Sequence, residues 1–476
     1  MKLSFFYSND FLTSILFFYD ANHVSLTDKQ GLSYHVFSNP QKFHSRERVM
    51  KLATQFIFSS LVLFFIIMTP TQAKVWQATN SWSLDWEKKY SKWMTTNNVK
   101  KTIFTGRNSP YYGIKADCAD ASYALRAIFS LENSLPFKVK NPSGARSGYG
   151  TLNNDTNKFD SAGSSKRRLV ALVNYLGDAV GTEHLNYHDT LPVSIKSIAP
   201  GMLFTYKIKG RFGKSIRHSY NIKEVTPTGD FDVIYATQAI AKEGLPLNLK
   251  QGFAFSNAPQ TVWGFKRFKW PELLNESVSS YPQEFGYSQE QFSLSQNLGA
   301  RGFFRYVKKV LKVTDQTPEQ LLESKLKTLC RAANDRIEYV NQGVGFHRQS
   351  RRKCMNYADF DAYSTPSRDK SLLNDFENLF YEMKDIEQMG LVGEVDYSYW
   401  DLLVNIRSGL RQGGDRTLDR ELSNVCSINY RQGVSIHLGE LFRRINAGLL
   451  SSHPNDEMEQ RWGETSRGRT RCKAWY

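Results

Sequence analysis

The 476 residues carry 62 Lys and Arg against 46 Asp and Glu, a formal charge of +16, with 41% apolar residues and five cysteines. The basic excess fits an ordinary soluble basic exported protein or, on a sharper reading, attraction to a polyanion such as a cell wall, an anionic membrane surface or nucleic acid. Lys and Arg are dispersed rather than striped along one element and no nucleic-acid motif is present, which argues against nucleic acid, and no Cys-x-x-Cys or His-rich spacing suggests zinc.

The first element in chain order with a clear meaning is "MKLATQFIFSSLVLFFIIMTPTQAKVW", starting at Met50. One Lys precedes an apolar stretch, and Thr71-Gln72-Ala73 closes it as a small-x-small cleavage pattern, the layout of a secretory signal. The apolar run Phe56 to Met68 is 13 residues, interrupted by Ser59 and Ser60, where a spanning helix needs about 20. Residues 50–73 are therefore read as a signal peptide, residues 1–49 as a misassigned upstream extension, and the destination as periplasmic or secreted, with no stable membrane span after cleavage. The 403 residues that remain suffice for two domains and keep a formal charge of +14, since the removed part holds six basic and four acidic residues.

All five cysteines, Cys118, Cys330, Cys354, Cys426 and Cys472, lie beyond the signal. In an oxidising compartment an odd count leaves one thiol over. Cys118 stands alone, and the other four are expected to form two disulfides, in any of three pairings.

Residues 76–95 read as an aromatic-rich amphipathic helix, and "NSPYYG" as a turn. "CADASYALRAIFSL" places Ala121, Leu125, Ile128 and Phe129 on one face, a buried helix with Asp117 as N-cap. Residues 139–165 read as a long loop, followed by a helix at "SKRRLVALVNYLGDAV". The period then changes to two: "GMLFTYKIK", "HSYNIKEV", "FDVIYATQ" and "TVWGFKRFKW" read as short strands, with "TPTGD" joining the second to the third. After Pro271 the pattern is helical to the end; "TPEQLLESKLKTL" opens with Thr317 and Gln320 in a capping box around Pro318. The boundary falls near residue 275, giving an α+β first domain (74–275) and a mostly helical second one (276–476).

The chemistry sits at Cys118. A cysteine at a helix start meets unpaired N–H groups and the positive end of the dipole, which favour a thiolate and a developing oxyanion. Such a nucleophile needs a base, usually His. His184 and His188 have i, i+4 spacing but no supporting carboxylate set, and read as a solvent-facing loop. His218 opens the strand "HSYNIKEV" and is the expected base.

This ordered set resembles the papain-like cell-wall hydrolases of the NlpC and CHAP types. Pro110, Tyr111 and Gly113 stand where those families carry a Pro-Tyr turn, Asp117 and Cys118 where they carry the Asp-Cys pair, Pro200-Gly201 ahead of the His strand, and His218 and Gly229 in the strand and turn that follow; the likeness covers roughly residues 105–240. It departs at Ala119-Asp120, where the families have Ser-Gly, and at Met202. The resemblance implies a papain-like core, a Cys helix packed on an antiparallel sheet, cleaving amide bonds in peptidoglycan stem peptides through a Cys118 thioester. His218 would act as base and Gln238 as orienting group, with Asp232 and Tyr235 behind it; Tyr111 and Asp117 would contact substrate. No metal and no cofactor are called for, and the partner is peptidoglycan or another cell-envelope polymer. "CADASYALRAIFSLENSLPF" also resembles the transglutaminase-type core, which shares the thioester but passes the acyl group to an amine. A non-catalytic envelope-binding protein with an inert Cys118 is the third expectation. The C-terminal region carries no motif; its acidic "NYADFDAY" lacks the Gly and Glu of a calcium loop.

Overall fold

The computed structural model describes the backbone of residues 16–20, 23–27 and 33–35, and residues 74–475 except 141–149, 210–214, 238–244 and 351. The segment expected to be a signal peptide lies outside the described residues, and so does Gln238. The chain divides into two units, Met1–Thr71 and Gln72–Tyr476. The first holds a three-stranded antiparallel sheet, β1 (Leu16–Asp20), β2 (His23–Thr27) and β3 (Ser33–His35), in that order.

The second unit is mixed α and β. Its sheet is antiparallel and six-stranded, built from β6 (Thr190–Pro192), β7 (Leu203–Lys209), β8 (Ser215–Val225), β9 (Phe231–Tyr235), β10 (Asn248–Phe253) and β11 (Phe265–Phe268), in the order β10-β9-β8-β7-β11-β6. A short hairpin, β4 (Lys138–Lys140) with β5 (Thr151–Asn153), occupies part of the stretch read as a loop. β8 and β9 are joined by the expected turn, in which the Thr226 N–H donates to Asp230 O at 2.9 Å and Gly229 takes φ +80°.

Strand alternation assigns the two faces. Leu203 and Ile234 point into a core shared with α1 (Leu84–Thr95), α2 (Cys118–Glu132) and α3 (Ser165–Ala179). Phe204, Phe231, Val233 and Phe265 point the other way, into a second core closed by Phe303 and Val307 of α4 (Glu290–Leu311). The packing of this first region therefore continues past residue 275, because α4 covers the sheet's other face.

Helix α1 starts later than its aromatic pattern suggests, because the Ser83 hydroxyl accepts from Trp86 N and caps it there. It docks where Gly201 (φ +87°) leaves room: a Cβ on Gly201 would lie 2.7 Å from the Tyr90 ring. α2 is buried on all sides, and its two serines are satisfied locally: Ser122 and Ser130 donate back to the carbonyls of Cys118 and Arg126 at 3.2 and 2.9 Å. Arg126, 3% exposed, forks onto Glu87 of α1 at 2.6 and 3.2 Å and lies 3.2 Å over the Trp82 ring. Trp270 Nε1 donates to the same Glu87 carboxylate at 2.9 Å.

The helical remainder is centred on α5 (Pro318–Ser350) packed against α6 (Pro366–Gln388). The expected capping box forms: Gln320 N donates to Thr317 Oγ1 and Thr317 N to Gln320 Oε1. α7 (Tyr397–Ser408), α8 (Arg416–Val425) and α9 (Leu438–Asn446) follow, but α8 and α9 are separated by an antiparallel pair, β12 (Ser427–Arg431) and β13 (Val434–His437), in a stretch expected to be helical. The disulfides join Cys330 to Cys426 and Cys354 to Cys472, and Cys118 is free. Among the described residues no helix is long and apolar enough to cross a membrane.

Candidate functional site

Cys118 is the first residue of α2. Asp117 caps the helix as expected: its Oδ1 accepts from Ala119 N at 2.9 Å and Asp120 N at 3.1 Å, while Asp120 Oδ2 accepts from Asp117 N at 2.9 Å. This reciprocal box has a chemical consequence. Helix-start N–H groups that could stabilise a thiolate or an oxyanion are already held by a carboxylate, and that carboxylate is a negative charge beside the sulfur.

The thiol is 7% exposed. Burial pushes it up to about 12, and the Asp117 charge adds to this; the Thr182 hydroxyl, 3.2 Å from Sγ, and the Ser219 backbone act in the opposite direction. Asp120, equally buried, is pushed up to about 8 by burial and by the Asp117 charge, and its Oδ1 has no hydrogen-bond partner among the described residues.

His218 lies on β8 opposite Tyr206 of β7. The next residue along, Ser219, donates from Oγ to Cys118 O at 2.8 Å and so faces α2. Alternation then turns His218 to the other face of the sheet, with Tyr206 and Tyr220. Its ring stands edge-on to Tyr220 and Tyr235, centroids 4.5 and 5.4 Å apart, and 5.9 Å from Tyr206. No hydrogen bond joins it to Cys118, and burial pushes its imidazole down to about 3, so it is neutral. The two residues expected to form a dyad thus sit at one point along β8 but on opposite sides of it.

The tyrosines stand with His218 on its side of the sheet. Tyr206 and Tyr220 are pushed up mainly by burial, and the Cys118 charge contributes to both. Tyr235, named as a possible third residue, belongs to this cluster. Asp232 does not: its Oδ1 accepts from Gly252 N at 2.9 Å, and it lines a cavity of about 470 Å³ between the β8–β9 turn, β10 and α5, which neither Cys118 nor His218 reaches. Tyr111 is buried, with its hydroxyl donating to Glu132 at the C-terminal end of α2, 2.7 Å away, so that group is spent at the end of the helix remote from the thiol.

His184 and His188, expected in a solvent-facing loop, lie on a short helical segment with ring centroids 4.7 Å apart; His184 is half-buried, while His188 is exposed as expected. His184 Nε2 meets Lys140 O and stands 3.6 Å from Asp189 Oδ2, which accepts from Tyr123 OH at 2.6 Å. Burial pushes Asp189 up to about 7 and holds His184 below its ordinary value. No metal-holding group of three or more His, Cys, Asp or Glu occurs among the described residues.

Sequence reasoning missed Thr182 and Ser219, which touch the Cys118 turn. Ser219 was detectable by parity, since it alternates with Tyr220 and Ile222, the apolar residues of its strand; Thr182 carries no local signal. Chemically, the site offers a protonated thiol, a neutral imidazole across the strand and a set of buried phenols, a concentration of perturbed groups of the kind found at functional sites. Compared with protein-family models, curated proteins and solved structures, the chain matches none.

Proposed function

We propose that this chain is an exported, periplasmic or secreted cysteine hydrolase with a papain-like core, opening amide bonds of peptidoglycan stem peptides through a thioester on Cys118. The observation that supports this is the placement of the single unpaired thiol: it begins a fully buried helix, against the strand that carries His218, in a chain whose other four cysteines are bridged. The resting pair is thiol and neutral imidazole rather than thiolate and imidazolium. Attack on a carbonyl must then move the thiol proton to His218 as the C–S bond forms, and return it to the leaving amine as the C–N bond breaks. This reading requires the two residues to meet around the edge of β8 in its first half, where the β9 pairing register, which spans Asn221 to Val225, does not extend.

A second reading, a non-catalytic envelope-binding protein, is favoured by the Asp117 carboxylate, which occupies the helix-start N–H groups and opposes the thiolate. One experiment separates the two. Purified protein is incubated with cell-wall sacculi of several chemotypes, and released fragments are identified by mass spectrometry. Release by wild type and none by Cys118→Ser supports the hydrolase; sedimentation of both proteins with the walls, without release, supports the binding protein.

A further inference from the structure

The cavity of about 470 Å³ that Asp232 lines is bounded on one side by α5, and the sequence of that helix explains why it stays open. Leu322, Leu326, Leu329 and Ala333 form the buried stripe of α5. Gln320, Glu323, Ser324, Lys327, Thr328 and Arg331, spaced by three and four residues, form a second stripe that faces the cavity and holds no apolar side chain. Such a face cannot close onto the sheet as a dry core, so the gap remains polar. The opposite wall comes from β9, β10 and the β8–β9 turn. Register shifts in β8, between Ile222 and Glu224, and in β10, between Lys250 and Phe253, flank Asp232, and bulges of this kind re-aim side chains beside functional sites. Gly252, inside the second shift, takes φ +61° where a Cβ would lie 2.5 Å from Thr328 Oγ1, and its N–H donates to Asp232 Oδ1 at 2.9 Å. Most charges here are already matched: Asp230 takes Lys308 and Lys325 at 2.9 and 3.0 Å, Glu323 takes Lys327 at 3.2 Å, and Asp315 takes Lys312. Two lining charges are not. Asp232, 8% exposed on the sheet wall, and Arg331, exposed on the α5 wall, form no ion pair among the described residues. Burial pushes the Asp232 carboxyl up and the Arg331 charge helps to hold it down, so each lies within the field of the other without closing on it.

We propose that this cavity binds a small zwitterion, an amino acid or short peptide with both ends free, its ammonium on Asp232 and its carboxylate on Arg331. One unmatched charge of each sign on facing walls selects a ligand that carries both. The planar fork of Arg331 matches a carboxylate, and hydroxyls and amides such as Thr226, Gln251, Ser324 and Thr328 can serve the peptide groups between the two ends. The volume is that of a small-ligand site. A lining without aliphatic or aromatic residues gives an acyl chain or an aromatic ring nothing to pack against. The site shares no residue with the Cys118 region, so it stands whether or not that thiol is catalytic.

The test is isothermal titration calorimetry of the full chain with alanine, dialanine, trialanine and N-acetylglucosamine, and with the tightest of the alanine series blocked at one end, as its N-acetyl form or its C-terminal amide. One or more of the free forms should bind, and the length that binds best separates an amino-acid site from a peptide site. Blocking either end should weaken binding at least about tenfold, the size of a lost charge-assisted hydrogen bond. Arg331→Gln should weaken the free form to a similar extent and no longer distinguish it from its amide. Asp232→Asn should no longer distinguish it from its N-acetyl form. Arg331 is exposed, so Arg331→Gln carries the test alone should Asp232→Asn fold poorly by circular dichroism. Failure of every free form to bind, blocked forms that bind as well as free ones, an Arg331→Gln protein that still prefers the free carboxylate, or binding of N-acetylglucosamine alone would each overturn the proposal.

Discussion

Replacing Arg126 by Ala should destabilise the second unit far more than a typical surface substitution. Both partners of the Arg126–Glu87 pair are buried, at 3% and 10% side-chain exposure, and the guanidinium also stacks 3.2 Å from Trp82. Truncation leaves the Glu87 carboxylate with Trp270 Nε1 as its remaining side-chain donor. Breaking one side of a buried pair costs about 3 to 5 kcal/mol, and loss of a desolvated cation–π contact about 2 kcal/mol. These terms overlap, so about 4 kcal/mol is expected. Replacing both charges together, Glu87→Gln with Arg126→Met, should recover most of that loss, since the penalty lies in the stranded charge rather than in the absent pair. Urea unfolding followed by tryptophan fluorescence measures all three proteins against wild type. A cost under about 1 kcal/mol for Arg126→Ala, of the size measured for exposed pairs, or a double variant no better than the single one, would refute the argument that this buried pair joins α1 to α2.

Other outcomes are equally specific. Asp117→Asn keeps a good N-cap while removing the charge beside the sulfur, so the thiol pKa should fall, read as faster iodoacetamide alkylation at alkaline pH; Thr182→Val should move it the other way. His218 is held neutral by burial, with a folded value of about 3 against 6.5 when free. A base depressed in this way contributes fully above the unfolded value, and that contribution is lost as pH falls from about 6.5 towards 3. His218→Gln should therefore lose about 2 to 3 kcal/mol less than wild type on going from neutral pH to about pH 4.5, measured by urea midpoints; equal losses would place the imidazole in solvent. Non-reducing peptide mapping should find Cys330 linked to Cys426 and Cys354 to Cys472, with Cys118 alkylatable only after unfolding or slowly before it.

What could be read from the sequence was local. Asp117 ahead of an apolar helix, Thr317 with Gln320 around Pro318, and the "TPTGD" turn each carry their geometry in adjacent residues, and each forms. The four C-terminal cysteines could be expected to bridge, but the choice among three pairings depends on which helices meet. The "SINYRQGVSIH" hairpin was missed in a stretch read as helical, although its Gln-Gly turn separates alternating residues; Gly433 there takes φ +71°. Other features depend on distant partners. The burial of Arg126 depends on Glu87, 39 positions earlier, and on Trp82, neither of which its own helix reveals. The face on which His218 lies follows from which side of β8 receives α2, and a shift of one residue reverses it. For that reason the sequence could bring thiol and imidazole to the same strand without fixing whether they touch.

The most direct test of the central claim is the intact mass of the protein after brief incubation with wall fragments and acid quench, with the modified residue located by peptide sequencing. The account predicts a stem-peptide acyl group on Cys118 in wild type, absent from Cys118→Ser and from protein alkylated beforehand. Wall cleavage that persists in the alkylated protein, with Cys118 unmodified by substrate, would contradict it.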